Sequence, residues 1–221
     1  MEYQLIRSRR KTIAICVDRD GNVTVRAPLR AAQGIIDRFI REKQEWIEEK
    51  SSQMAANAAA RQEFRVSPGS TLPLMGKEYP VLPGERVAFD GTGFILPQEA
   101  FETLKPKLVR LYQSIALDVL SRRTEDYAVR TGFRPSGVRI GSARTCWGSC
   151  SGKNRLSYSW KLILVPPEQI DYVIVHELAH TVEHNHSPRF WALVGQVLPD
   201  YPARRKQLKA SAQKLQQQGW D

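Results

Sequence analysis

All four histidines of the chain lie within eleven residues, from His176 to His186. The segment opens with His176-Glu177-Leu178-Ala179-His180, which has the His-Glu-x-x-His spacing found in zinc hydrolases. On a helix these two histidines stand one turn apart on the same face, so both imidazoles can reach one cation. Glu177 is rotated by about 100° from His176 and can reach a water bound to that cation. The motif therefore predicts two metal ligands and a general base.

A third ligand has to come from outside the motif, because a catalytic zinc ion usually takes three protein ligands and one water, whose pKa falls to about 7. We expect His186, since the six residues after His180 allow the chain to turn back toward the metal. His184 competes, but at i+4 on a continuing helix it would stand a further turn away. Asn185 can end that helix, and Ser187-Pro188 can begin the next one. The sequence thus predicts one Zn²⁺ per chain, bound by His176, His180 and His186.

The elements before the motif must position it. Pro166-Pro167-Glu168 predicts the start of the motif helix, and an apolar run over residues 170–175 follows. Residues 138–140 and 156–160 are predicted to be strands. Because zinc peptidases commonly hold an extended substrate against an edge strand, we predict that residues 156–160 form that edge.

Several side chains near the motif are candidates for supporting roles. Tyr158, Trp147 and Arg144 could line the cleft and stabilise an oxyanion, although an aromatic residue near a short strand is more often part of the core. Phe190 and Trp191 are expected to pack behind the third histidine. Carboxylates that could orient the imidazoles are Asp171, Glu183 and Asp200.

The rest of the chain predicts an α+β fold. Residues 12–17 and 22–26 should form a hairpin that turns at Asp20-Gly21. Residues 30–51 should form a helix, and the Ala-rich segment 54–60 either continues this helix or forms a mobile link. Short strands are expected over 64–97, and a long helix from Pro97 to Thr131-Gly132 with a buried stripe. Residues 201–214 should form an exposed helix and residues 216–221 a frayed tail. We place an N-terminal β-rich lobe with one helix at 1–97 and the catalytic domain at 98–221, with a further possible boundary near residue 60.

Composition fits a soluble enzyme with one sizeable core and a smaller lobe: 221 residues, of which 42% are hydrophobic and 25% charged. No segment approaches the about 20 apolar residues of a membrane span. Because the N-terminus lacks an apolar signal core, we expect a cytoplasmic protein. The three cysteines fit a reducing compartment, and we expect Cys146 and Cys150 to pack as buried thiols rather than bind a second metal.

The formal charge of +10 favours anionic partners. Basic residues cluster at 7–11, 122–123 and 204–206, without the interleaved aromatics of a nucleic-acid stacking surface. A solvated basic face, a nucleotide and a nucleic acid all remain compatible with this pattern.

Longer blocks of sequence add a family resemblance. They are Cys146-Trp147-Gly148-Ser149-Cys150-Ser151, Tyr158-Ser159-Trp160, residues 172–180 with His-Glu-Leu-Ala-His, Asn185-His186-Ser187 and Phe190-Trp191. Their order and spacing resemble the YgjP-like metallopeptidase family, which is grouped with the SprT-like and WLM zinc peptidases. The resemblance implies a zincin-like core, zinc bound by His176, His180 and His186, and Glu177 as general base and acid.

Three functions are compatible with these features. The favoured one is a metallopeptidase that cleaves peptides or unfolded proteins, with Glu177 taking a proton from water and returning it to the leaving group. A nucleoside triphosphate pyrophosphatase would use the same zinc site and the positive surface. A nucleic-acid-associated binding protein would bind in a salt-dependent manner without needing Glu177.

Overall fold

The computed structural model describes residues 2–143 and 146–220, which form two compact units. One unit holds the described residues up to Phe64 together with Lys214–Gly219, and the other holds Arg65–Gln213 with Trp220. Helices and several small sheets alternate along the chain, so the predicted α+β class is confirmed. The division between units falls near the early boundary expected around residue 60, and the lobe boundary after residue 97 stays a prediction.

The first unit is a three-stranded sheet covered by helices. Strands β1 (Gln4–Ser8), β2 (Ala14–Val17) and β3 (Val23–Pro28) have the order β1-β3-β2, and β2 and β3 form the predicted antiparallel hairpin. Gly21 adopts a left-handed φ of 94° in its turn, which a glycine accommodates without strain. Helices α1 (Gln33–Glu42) and α2 (Gln44–Glu63) follow, so the Ala-rich segment continues a helix. The core lies between sheet and helices and includes Val25, Ala27, Ile36 and Ile47.

The second unit contains two sheets. The first consists of β4 (Thr71–Leu74), β5 (Lys77–Pro83), β6 (Ala88–Phe89) and β7 (Phe94–Leu96), in the order β4-β5-β7-β6. The second consists of β8 (Gly137–Gly141), β9 (Gly148–Cys150) and β10 (Arg155–Ser159), in the order β8-β10-β9. Strand β10 pairs with β8 in parallel and with β9 in antiparallel orientation.

The helices of the second unit are α3 (Phe101–Thr131), a 3₁₀ helix (Trp160–Leu164), α4 (Pro167–Ala179), α5 (Pro188–Val197) and α6 (Tyr201–Leu215). Helix α3 begins at Phe101 rather than at Pro97, and it ends as predicted at Gly132, whose φ is 74°. The predicted buried stripe is present and falls at every fourth residue, so Leu117 lies outside it and is 50% exposed. Buried positions are Leu104, Leu108, Tyr112, Ala116, Leu120 and Thr124. Among the helices of the described residues, none combines the length and apolar character that crossing a bilayer requires.

The segment after α6 differs from the expected frayed tail. Trp220 is buried, and its ring lies 5.6 Å from that of Tyr112 and 6.0 Å from that of Trp160, measured between centroids. Arg61 also donates a hydrogen bond to the backbone carbonyl of Gln216 at 3.1 Å. The tryptophan removes a large apolar surface from water, which offsets the entropy of ordering the segment.

Candidate metal centre

Helix α4 carries the motif and is fixed by its own sequence. Pro166 stands at the N-cap and Pro167 at the first helical position, as predicted, where the missing proline N–H costs no hydrogen bond. The apolar residues before the motif, including Ile170 and Ile174, are fully buried. Helix α3 packs behind α4, and Arg123 of α3 forms an ion pair with Asp171 of α4 at 2.5 Å. The face that bears His176 and Glu177 is therefore set by a helix that is anchored on its other side.

Helix α4 ends earlier than the sequence suggested. Its last residue is Ala179, with His180 as the C-cap, and not a residue near Asn185. The Thr181 hydroxyl donates to the Leu178 carbonyl at 2.7 Å, while the Thr181 and Glu183 amides donate to Leu178 and Ala179. These bonds satisfy the last helical carbonyls in a tight turn, which is how a threonine hydroxyl competes with helix continuation. The expectation that His184 stands on a continuing helix was therefore wrong.

Asn185 shapes the corner between α4 and α5. Its Oδ1 accepts from the Ser187 amide at 2.9 Å, and its Nδ2 donates to the Glu183 carboxylate at 2.6 Å. Ser187 then caps α5 by accepting from the Phe190 amide at 3.3 Å, and Pro188 follows at the first helical position. The predicted Ser-Pro helix start is confirmed, and the corner brings His186 back toward α4.

Three histidines converge at this corner. One ring nitrogen from each of His176, His180 and His186 lies within 4.8 Å of the other two, and Nε2 of His186 lies 3.1 Å from Nε2 of His176. His184 is exposed and does not belong to this group. The structure thus brings together the three histidines that the sequence selected as ligands.

Burial keeps two rings of the cluster neutral. Burial, together with the neighbouring His180 and His186, lowers the pKa of His176 to about 3. Burial also lowers the pKa of His180. Nδ1 of His180 donates to the Glu183 carbonyl at 2.9 Å, which fixes the tautomer that leaves its Nε2 lone pair free. Neutral ring nitrogens that face each other this closely are a donor set suited to a cation.

The residues behind the histidines are aromatic rather than acidic. The buried Phe190 ring lies 4.3 Å from that of His180 and 4.9 Å from those of His176 and His186. Trp191 stacks on His186 at 5.8 Å, which confirms the packing role expected of both residues. None of the three candidate carboxylates orients an imidazole among the described residues: Asp171 pairs with Arg123, Asp200 pairs with Arg204, and Glu183 contributes its backbone carbonyl instead.

Glu177 lies beside the cluster and is only 5% exposed. Its burial raises the pKa of the carboxyl group to about 8. Strand β9 approaches it closely: a Cβ at Gly148 would lie 2.7 Å from Cγ and 2.8 Å from Oε1 of Glu177. Gly148 therefore leaves the space that this carboxyl group occupies, a role that the sequence reasoning missed.

The edge strand beside the site is β9. The prediction that residues 156–160 form this edge was wrong. Strand β10 is central because it pairs on both sides. The Ser159 amide donates to the Trp147 carbonyl and the Ser151 amide to the Arg155 carbonyl, both at 2.9 Å. Since bonded and non-bonded residues alternate in an antiparallel pair, Gly148 and Cys150 direct their backbone groups away from β10. These backbone N–H and C=O groups lie along the outer edge of β9, where no other strand of the described residues pairs with them.

Of the residues predicted to stabilise an oxyanion, Tyr158 and Trp147 lie in different surroundings. Tyr158 is 1% exposed and its hydroxyl lies 3.3 Å from that of Thr124, so it belongs to the core. Trp147 is half-buried and lines the cleft, and Arg144 lies outside the described residues. Tyr172, which the sequence reasoning passed over as part of an apolar run, also lines the cleft. Its position on α4, one turn before His176, could have indicated this.

The cysteines are less buried than expected. Cys146 is exposed and Cys150 is half-buried, because Cys150 ends the short edge strand β9 and Cys146 precedes it. Neither belongs to a group of potential metal ligands among the described residues. The expectation of buried thiols was wrong.

A cleft of about 690 Å³ adjoins the histidines. His176 and Glu177 lie on one side of it, and apolar side chains including Tyr172, Val173 and Leu208 line it. Its wall on α6 carries Arg205, Lys206 and Lys209. The sequence reasoning noted a basic cluster at 204–206 but did not connect it with the histidines, which lie in another segment.

Comparison with known proteins agrees with this geometry. The family model described as "YgjP-like, metallopeptidase domain" matches residues 11–211. No curated protein matches the chain. A solved structure, the metallopeptidase zymogen of Pyrococcus abyssi abylysin, is similar at 21% identity and a TM-score of 0.39, over 42% of this chain and 93% of that chain. A metallopeptidase family implies a metal, which the three-histidine group could bind. The predicted resemblance is confirmed, and the chain belongs to the YgjP-like metallopeptidase family.

Proposed function

We propose that this protein is a zinc metallopeptidase with a zincin-like catalytic core. One observation carries the proposal: three imidazoles converge, and one of them, His176, lines a cleft that also contains a buried carboxyl group, Glu177. This is the set of groups needed to activate water for attack on a carbonyl. Membership of a metallopeptidase family supports a hydrolase.

His176, His180 and His186 would hold one metal ion. The short Nε2 to Nε2 distance of 3.1 Å and the lowered pKa of His176 support this, because a cation shared by the two ring nitrogens would satisfy both of them. Three imidazoles favour zinc among the available divalent ions. When bound, zinc supplies Lewis acidity and lowers the pKa of a bound water to about 7.

Glu177 is the proposed general base and acid. Its carboxyl group is buried beside His176, so few water molecules compete for its oxygens. The pKa of about 8 without a cation would fall beside a positive charge, since an opposite charge favours the carboxylate. The pKa of Glu177 then suits both accepting a proton from water and returning it to the leaving amine.

The free edge of β9 supports an extended peptide as substrate. Gly148 and Cys150 offer backbone donors and acceptors, and Gly148 both lines the cleft and lies against Glu177. An added strand would obtain its alignment from main-chain hydrogen bonds, with little demand on its side chains. We therefore expect flexible or unfolded segments to be cleaved at varied sequences.

The test combines metal content with turnover. Protein purified without chelator or histidine tag should contain about one zinc per chain by plasma mass spectrometry, and His176→Ala almost none. The wild type should cleave an unfolded protein, and Glu177→Gln should retain zinc but lose turnover at least about 100-fold. Full activity of Glu177→Gln would refute the assignment of the base.

Two further substrates separate the alternative functions. If a nucleoside triphosphate released pyrophosphate in a Glu177-dependent manner while no peptide was cleaved, the cleft would be a nucleotide hydrolase site. Nucleic-acid binding that weakens with salt and survives Glu177→Gln would indicate a binding protein.

A further inference from the structure

Three cations on α6 form one wall of the cleft that contains His176 and Glu177. Arg205, Lys206 and Lys209 are exposed, and none of them pairs with a carboxylate among the described residues. Their neighbour Arg204 differs, because it is held by Asp200 at 2.9 Å and by the Glu168 carbonyl at 3.1 Å. The wall facing the cleft thus keeps unneutralised positive charge while the cation beside it is neutralised.

Arg205 is held in place by a stack of rings. Its guanidinium lies 5.2 Å from the centroid of Trp191, whose ring stacks on His186 at 5.8 Å and on Tyr201 at 5.3 Å. A cation–π contact positions the guanidinium without neutralising it, so it stays available to an anion.

We propose that this wall, Arg205 with Lys206 and Lys209, selects peptides that carry an aspartate or glutamate close to the bond that is cleaved. The inference rests on the proposed peptidase function and specifies its substrate class. The stack of rings from His186 to Arg205 sets the separation between the histidine cluster and the cation. Because an extended residue spans about 3.5 Å, a substrate carboxylate that binds Arg205 would lie within about three residues of the bond that is cleaved.

A carboxylate on a peptide fits this cleft better than a phosphate does. The cations are interleaved with apolar lining residues, including Val173, Pro202 and Leu208, which suit amino-acid side chains. The single glycine of the lining, Gly148, belongs to a strand and not to a phosphate-binding loop. Lys206 and Lys209 lie about one helical turn apart, so they can follow an extended chain rather than surround one phosphate group.

The test measures binding, so that it is independent of turnover. Zinc-loaded Glu177→Gln protein would be titrated by fluorescence anisotropy with two labelled peptides that differ only in two Glu-to-Gln replacements. Because the two additional charges can each form an exposed charge pair, we expect the acidic peptide to bind about 5-fold more tightly or better. In Arg205→Gln/Lys206→Gln/Lys209→Gln the ratio should approach one, and in the control Lys214→Gln, on the same helix but not among the residues that line the cleft, it should be unchanged.

The outcomes separate the inference from the function on which it rests. Equal affinity for the two peptides, or a preference that survives in the triple variant, overturns the inference. A nucleoside triphosphate whose binding needs the three cations, while the peptides bind equally, assigns the wall to phosphate and overturns it as well. If the acidic peptide is preferred through the three cations but the wild type cleaves neither peptide, the recognition holds and the peptidase function is wrong.

Discussion

Replacing Gly148 by alanine should displace the carboxyl group of Glu177, the proposed general base, without unfolding the protein. The added Cβ would lie 2.7, 2.9 and 2.8 Å from Cγ, Cδ and Oε1 of Glu177. Strand β9 cannot easily retreat, since Gly148 pairs with Tyr158 of β10, which is 1% exposed. The end of the Glu177 side chain is the more mobile partner, so we expect that the carboxyl group moves.

The expected loss of turnover depends on how far the Glu177 side chain moves. Ordinary van der Waals contact begins at 3.4 Å, so Cγ of Glu177 must shift by about 0.7 Å. A misplacement of about 1 Å can reduce turnover by about 100-fold. Crowding of this kind destabilises by about 1–3 kcal/mol, and we expect the lower end because the side chain can yield. The three atoms nearest to the new methyl group all belong to Glu177 and none to a histidine, so we expect zinc content to stay near one per chain.

The assay compares kcat on an unfolded protein, zinc content and urea unfolding for the wild type, Gly148→Ala and Gly152→Ala. Gly152 is the matched control, because a Cβ there meets nothing within 4 Å. Adding Gly148→Ala to Glu177→Gln should cause little further loss of turnover, since both changes act on one group. If Gly148→Ala keeps full kcat, or loses its zinc, the reasoning that Gly148 sets the position of Glu177 is refuted.

Three further predictions concern His186, Asn185 and Glu177. His186→Ala should lose most of its zinc affinity and His184→Ala should keep it, and dialysis against a graded chelator would reveal the reverse order if His184 were the ligand. Asn185→Ala removes hydrogen bonds at 2.9 and 2.6 Å and should weaken zinc binding by about 10- to 100-fold, a loss that Asn185→Asp should partly restore through its retained Oδ1 acceptor. In metal-free protein the pKa of Glu177 is raised above its unfolded value of 4.5. The protonated carboxyl group therefore contributes fully to the stability of the fold at pH values below 4.5, and this contribution is lost as the pH rises through about 8. Metal-free Glu177→Gln should therefore gain stability over the wild type between pH 5 and pH 9, and parallel unfolding curves across that range would contradict the raised pKa.

Features that depend on neighbouring residues could be predicted from the sequence. The Ser187-Pro188 helix start and the end of α3 at Gly132 follow from local hydrogen bonding and backbone freedom, and both were predicted. The end of α4 was not, because the competition between the Thr181 hydroxyl and the helix depends on geometry that composition does not reveal.

Features that depend on distant residues could not be predicted in the same way. Whether residues 155–159 lie at an edge or in the centre of a sheet is decided by pairing with β8 and β9, and the hydrophobic pattern of one strand does not specify its neighbours. The cationic wall of α6 belongs to the cleft only because that helix folds back toward α4. The burial of Trp220 likewise requires partners that lie far earlier in the chain.

The burial of Trp220 has a consequence for how the protein is made. Its partners Phe101, Tyr112 and Trp160 leave the ribosome well before it does, and residues 214–219 belong to the unit formed mainly by the first 64 residues. Neither unit is therefore complete until synthesis has passed residue 213. Until then the nascent chain exposes apolar surface that is buried in the finished fold, and such surface is a cause of aggregation. Final packing of each unit thus waits for residues 214–220 and does not follow the order of translation step by step.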